Sequence, residues 1–316
     1  MNSSTPLGPG PEFDVIRAML AAYGPAARAI GDDAAALDLP AGEVPLVSTD
    51  VSVENVHFRR AWMSPREIGF RATTAALSDL AAMAARPRGV VVALTLPESW
   101  RAAAPEIASG IGEAARAAAT VVIGGDTSAG RELSLAVTVI GSCARPLTRS
   151  GARPGDAVWV TGALGGPALA LEAWGGESEP EPAHRARFVS PVARFAAAEW
   201  LRDRGATACI DISDGLVADA AHIAAASGVR VRIELARVPC VAGAPAHLAA
   251  ASGEEYELCV TGPPDWDAAA CERDTGTRLT RIGTVDALAA DELPGVAAFD
   301  ESGPVTPPRG YSHFQP

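Results

Sequence analysis

Hydrophobic and polar positions follow two periods along the chain. Pro45–Asp50, Gly89–Leu96, Thr120–Gly124 and Leu133–Gly141 are β-branched or alternating runs that predict strands. Between them, Pro65–Ala85 and Ala104–Ala119 are alanine-rich and predict helices. A loop rich in proline, glycine and arginine, Ala144–Gly155, then interrupts the pattern and is the candidate boundary between domains spanning 1–145 and 146–316. The second half restarts with a strand at Ala157–Thr161 and a glycine-rich turn into a helix around Leu164–Trp174. Gly175–Arg187 is polar and reads as a solvated loop. Helix 192–204, strand 206–211, helix 216–227, strands 229–235 and 256–261 and a short α/β tail complete the reading. The fold class is α/β (α+β) in two domains, and no internal repeat is visible.

The composition is that of a folded globular protein, 48% hydrophobic and 20% charged. Its net charge of −12, with no basic run, argues against nucleic-acid binding. All 26 basic residues are arginine. Without lysine there is no P-loop, no protein-kinase strand lysine and no Schiff-base enzyme. Phosphate chemistry in such a chain falls to metals, backbone amides and arginine. The first twenty residues lack a cationic start and an apolar core, so no secretory signal is read there, and no apolar run is long enough for a membrane span. Five cysteines without C-x-x-C spacing predict buried reduced thiols and a cytoplasmic protein.

Five acidic clusters carry the candidate chemistry: Gly31-Asp32-Asp33, Ser48-Thr49-Asp50, Ser78-Asp79, Gly124-Gly125-Asp126 and Asp211-Ile212-Ser213-Asp214-Gly215. Each has a plain alternative as a turn, a flexible loop or a helix N-cap. Asp50, Asp126 and Asp211 directly follow apolar strand-like runs, where ligand loops emerge in α/β folds. Asp79 is in helical register with Ile68, Ala72, Ala75 and Met83 and so faces inward or into a cleft. Two carboxylates about 5 Å apart repel by roughly 3 kcal/mol at an effective dielectric near 20, so a converged set requires protons or metal ions. The all-oxygen donors, with Ser48, Thr49 and Ser213, suit Mg²⁺, whose natural companion is a nucleotide polyphosphate. Gly124-Gly125 offers open amides, Asp214-Gly215 opens a helix that presents its amides and positive dipole end to an anion, and Arg149 sits on the inter-domain loop, either solvated or on a phosphate.

The segments PEFDVI, IGDDAA (30–35), STDVSVENVHF (48–58), LSDLAAMAARP (77–87), IGGDTSAG (123–130), LTRSGARPGD (147–156), DISDGL (211–216), SGEEYELCVT (252–261) and GYSHF (310–314) resemble, in order, the thiamine-monophosphate kinase family. That family lies in the PurM-like, AIR synthetase-related superfamily. The resemblance implies a two-domain PurM-like fold: an N-terminal ATP-binding and dimerisation domain, and a C-terminal α/β domain closing over the nucleotide. It implies ATP-dependent phosphorylation of thiamine monophosphate to the diphosphate, by direct in-line transfer with several Mg²⁺ ions and no further catalytic residue. Asp33, Ser48, Thr49, Asp50, Asp79, Asp126, Asp211 and Asp214 would then hold Mg²⁺. Gly125, Asp126, Arg149 and Ser213 would contact ATP, and His57, Glu254 and Tyr311 would line the thiamine side. A homodimer, with no nucleic-acid or membrane partner, is implied as well.

The chain departs from the family pattern in places. Where the family reads Gly-Gly-Glu-Asp-Tyr-Glu, this chain has Ser252-Gly253-Glu254-Glu255-Tyr256-Glu257; Ala84 and Arg153 replace a usual Gly and Lys. The rival readings are another PurM-like enzyme (AIR synthetase, selenophosphate synthetase or a HypE-like protein) and a non-catalytic nucleotide binder. The first cysteine at Cys143 and the end at Pro316 lack the cysteines that selenophosphate synthetase and HypE would want.

Overall fold

The structure is a computed structural model that describes residues 11–28, 30 and 34–311, with backbone alone for 11–13. It divides into two compact units: residues 1–80, 85–145 and 189–191 in the first, 81–84, 146–188 and 192–316 in the second.

In the first unit, α1 (Pro11–Tyr23) precedes β1 (Val44–Val53), α2 (Pro65–Ala82), β2 (Arg86–Leu96), α3 (Ala104–Ala117), β3 (Val122–Ala129) and β4 (Ser134–Cys143). The strands form one sheet in the order β1-β4-β2-β3, with β1 and β3 at its edges. Alternation decides the two faces. Leu135, Val137 and Val139 of β4 and Val90, Val92 and Leu94 of β2 are buried, whereas Val47 and Val51 of β1 are 66% and 41% exposed. The helices cover the buried side: a Cβ at Gly141 would touch Leu80 of α2, and α1 packs against α3.

Helix α2 is buried on almost every side from Arg71 to Ser78, more than the single inward stripe the sequence predicts. Small residues permit this. A Cβ on Gly69 would overlap the Ile107 carbonyl oxygen of α3, and one on Gly110 would overlap the Arg66 carbonyl oxygen of α2. The two helices therefore meet backbone to backbone at reciprocal glycines.

The second unit holds a seven-stranded sheet: β5 (Ala157–Thr161), β6 (Ala208–Asp211), β7 (Arg230–Glu234), β8 (Leu258–Gly262), β9 (Leu279–Asp286), β10 (Gly295–Asp300) and β11 (Gly303–Val305). Their order is β11-β10-β7-β9-β5-β8-β6, antiparallel except for β7 beside β10. Its helices are α4 (Gly166–Gly175), α5 (Pro182–Val189), α6 (Phe195–Asp203), α7 (Leu216–Ser227), α8 (Ala246–Ala251) and α9 (Ala268–Thr275). Both faces are apolar. Val158, Val160 and Ile210 pack with Leu216 and Ile223 of α7, while Trp159, Cys209 and Val260 pack with Trp200 and Leu201 of α6. The unit is thus a sheet between two helical layers.

Three sequence expectations change. Gly175–Arg187 is not all loop: α5 starts at Pro182, and its polar run is anchored by Phe188 edge-on to Trp174, 5.3 Å between ring centroids, and by Arg187 on Glu257 at 2.9 Å. Asp126 lies inside β3 rather than after a strand, and β1 runs past its predicted end at Asp50 to Val53. β3 continues through Gly124, Gly125 and Asp126, which lack apolar side chains, because its backbone still pairs with β2. Helices α1 and α8 were not predicted.

Replacing Gly110 with alanine should lower the unfolding free energy by about 1–3 kcal/mol, the usual cost of overpacking. Urea unfolding checks this, and an unchanged midpoint would show that the helices do not meet as closely as described.

Candidate functional site

In the first unit, the sequence-predicted residues gather at β1. Ser48 Oγ donates to Asp79 Oδ2 at 2.5 Å, tying the strand to α2. Asp50 is two residues further along and so shares the helix-covered face with Ser48. Its Oδ1 accepts the Val51 amide at 2.8 Å. Thr49 points to the other face and bonds Thr138 at 2.8 Å. Just beyond the strand, His57 Nδ1 accepts the Val53 amide at 3.1 Å, which fixes its ring against the end of β1.

Gly125 and Asp126 lie on the opposite edge strand. The row Asp50–Val137–Val92–Gly125 crosses the whole sheet, three strand spacings or about 14 Å. Asp126 falls in the next row, opposite Ala93, and is exposed. A side chain at Gly125 would strike the Val92 carbonyl oxygen, so glycine is required there by the close approach of β2. Beside it lies a small, partly open cleft lined by Met19, Tyr23, Ile30, Val92, Gly125 and Asp126, among others. Asp33, with Asp32, lies outside the described residues.

In the second unit, Asp211 closes β6 at the sheet edge and is 5% exposed. The chain then turns through Ser213 and Asp214 into α7. Sequence reasoning left this turn's amides free for an anion, and the structure corrects that. Asp219, one turn into the helix, takes the amides of Ser213, Asp214 and Gly215 on its Oδ2 at 3.0, 3.1 and 3.0 Å. Burial pushes its carboxyl up to about 7, even though the three N–H groups favour the anion. Asp219 was missed, yet it sits on the buried stripe of Leu216, Ala220 and Ile223, and a carboxylate on such a stripe signals a partner.

The loop before β8 is stitched to this turn. The Glu254 amide donates to the Ser213 carbonyl at 2.7 Å, Tyr256 to Ile212 at 2.9 Å, and Ile212 back to Glu257 at 2.7 Å. The Tyr311 amide donates to the Asp214 carbonyl at 2.9 Å, and its side chain is 52% exposed. Asp211, Ser213, Asp214, Glu254 and Tyr311 therefore share one hydrogen-bonded corner. Thr148 runs along the outer edge of β6, its carbonyl on the Cys209 amide at 2.9 Å, and Arg149 beside it is exposed. Beneath it, Glu257 is buried and held by Arg194, Arg187 and Thr161. Burial likewise pushes the neighbouring Glu255 up to about 7.

Among the described residues no three His, Cys, Asp or Glu side chains converge closely enough to cage a metal. The donors that do meet are oxygens in small sets, one or two carboxylates with a hydroxyl. Such sets fit Mg²⁺, which is usually held by one or two carboxylates together with substrate phosphates.

The chain matches two family models, the AIR synthase related protein N-terminal domain over residues 31–143 and its C-terminal domain over residues 153–293. It is 34% identical over 301 residues to the thiamine-monophosphate kinase of Escherichia coli strain K12, covering 90% of this chain and 91% of that one. Among solved structures it resembles the thiamine-monophosphate kinase of Stenotrophomonas maltophilia K279a, with a TM-score of 0.79 and 33% identity over 92% of this chain and 96% of that one. It also resembles AaThiL complexed with AMPPCP and TMP, with a TM-score of 0.77 and 31% identity over 96% of both chains. By sequence and by fold, this chain belongs to the AIR synthase related proteins and, within them, to the thiamine-monophosphate kinase family.

Proposed function

We propose that this protein transfers the γ-phosphate of ATP to thiamine monophosphate, giving thiamine diphosphate and ADP. The observation that carries the reading is the AaThiL complex with AMPPCP and TMP, a relative aligned over 96% of both chains. The corner that ties Asp211, Ser213 and Asp214 to Glu254 and Tyr311 supports it, because it puts candidate phosphate and acceptor contacts on one frame.

An oxygen of the acceptor phosphate attacks the γ-phosphorus in line as the bond to ADP breaks. A phosphate monoester is already an anion at neutral pH, so no general base is needed. Catalysis is positioning plus charge neutralisation. Ser48, Thr49, Asp50, Asp79, Asp126, Asp211 and Asp214, with Asp33, would hold Mg²⁺. When bound, Mg²⁺ supplies the positive charge that this lysine-free chain lacks. Gly125, Asp126, Arg149 and Ser213 take ATP, and the apolar cleft beside Gly125 has the character a flat base requires. His57, Glu254 and Tyr311 take the acceptor, the exposed Tyr311 ring being suited to stack on an aromatic cation.

The protein acts as a cytoplasmic homodimer on this reading. None of its five thiols is in a disulfide, which suits a reducing compartment. The open sheet face with Val47 and Val51 supports self-association. No described helix is long and apolar enough to cross a membrane.

Incubation with ATP and thiamine monophosphate should yield the diphosphate with Mg²⁺ and none after chelation; product that persists in excess chelator would contradict the metal assignment. Asp50→Asn and Asp126→Asn should each cut turnover by about 100-fold or more while leaving the melting temperature nearly unchanged. A near-wild-type rate in either variant removes that residue from the site. Light scattering should give twice the chain mass, and Val51→Asp should reduce it to one; a wild-type monomer would refute the dimer.

A further inference from the structure

The loop from Ser252 to Glu257 joins α8 to β8 along an unusual path. Glu254 and Tyr256 both have positive φ, 61° and 52°, a region that costs side-chain-bearing residues free energy and persists only where the surroundings enforce it. On one side the enforcement is the turn at Ile212–Ser213, which accepts the Glu254 and Tyr256 amides. On the other side it comes from Ser252 and Glu255, two of the positions where the chain departs from its family pattern.

Those two positions touch. Ser252 Oγ donates to Glu255 Oε1 at 2.6 Å, and the same oxygen accepts the Gly165 amide at 2.5 Å. Ser252 Oγ in turn accepts the Ala168 amide at 3.3 Å. Both residues are buried, 3% and 4% exposed. The pair thus clamps the loop onto the start of α4, Gly165 to Ala168, from the side opposite the turn. Glu254, held between the clamp and the turn, presents its carboxylate to the Tyr256 hydroxyl, with Oε2 accepting at 2.5 Å.

We propose that Ser252 and Glu255 are a matched pair of positioning residues that sets Glu254 on the acceptor side of the site, each tolerated only with the other. Glutamate is one methylene longer than the aspartate of the family pattern and reaches the Gly165 amide; the serine hydroxyl then occupies the second acceptor direction of the same oxygen. Glycine at 252 with Glu255 in place removes that donor and leaves the Ala168 amide without its acceptor. Aspartate at 255 with Ser252 in place falls one bond short of Gly165, and the serine side chain stands in the way of a closer approach. With both replaced, the flexible glycine lets the loop close on α4 and the shorter carboxylate suffices. The inference rests on the kinase reading, since it assigns Glu254 to thiamine monophosphate.

The test is a double-substitution cycle, Ser252→Gly, Glu255→Asp and both together, with Ser252→Ala as a variant that removes only the hydroxyl. Steady-state kinetics are measured separately for each substrate. Each single variant should raise KM for thiamine monophosphate roughly tenfold, the equivalent of one lost net hydrogen bond, with KM for ATP unchanged. The double variant should return to within about twofold of wild type, a rescue that general loss of packing does not give. Unchanged KM in the single variants, losses that add in the double variant, or equal effects on both substrates would each overturn the pairing alone. A wild-type chain that makes no diphosphate overturns the kinase reading, and this inference with it.

Discussion

Repulsion between like charges is the constraint on which the rest of the molecule turns. A chain of net charge −12 without lysine places carboxylates at the edges and ends of its strands, where several of them meet solvent. Two such groups about 5 Å apart cost roughly 3 kcal/mol, a large share of the 5–15 kcal/mol by which a domain is stable. The protein answers this differently in different places. Asp79 accepts a serine hydroxyl, Asp219 takes three backbone amides, and Glu257 lies between two arginines. Asp50, Asp126 and Asp214 stand at more open positions, the ones to which the proposed function assigns a divalent cation carried with phosphate.

Rigid supports make those open positions usable. Ser48 and Asp50 sit on a strand that is tied to α2, and α2 is locked against α3 by reciprocal glycines. In the second unit the support is a double stitch, Asp219 under the turn and the 254–257 loop beside it. Two residues in the left-handed region store strain there, as expected where the surroundings hold a loop in one conformation.

Much of this was legible in the residues. The alternating runs gave the β-strands and the motif order gave the family, because both depend on local spacing. Other features depend on what lies across space. The Gly175–Arg187 stretch reads as polar because α5 is fastened by an ion pair and one aromatic contact, not by an apolar stripe. Asp126 reads as lying after a strand because β3 continues past Ile123 through glycines and polar residues, held only by its ladder to β2. The amides at Ser213–Gly215 read as free because Asp219 looks like an ordinary first-turn acid until its place on the buried stripe is considered. The contact between Ser252 and Glu255 is a matter of side-chain reach, which no spacing rule encodes.

The central claim is that these carboxylates hold divalent cations against a nucleotide polyphosphate. Anomalous scattering from crystals grown with Mn²⁺ and a non-hydrolysable ATP analogue tests it most directly. The account predicts Mn²⁺ peaks at bonding distance from the carboxylates of Asp50 or Asp79 and of Asp211 or Asp214, each shared with a phosphate oxygen. Bound nucleotide with no Mn²⁺ at any of these four residues would contradict it.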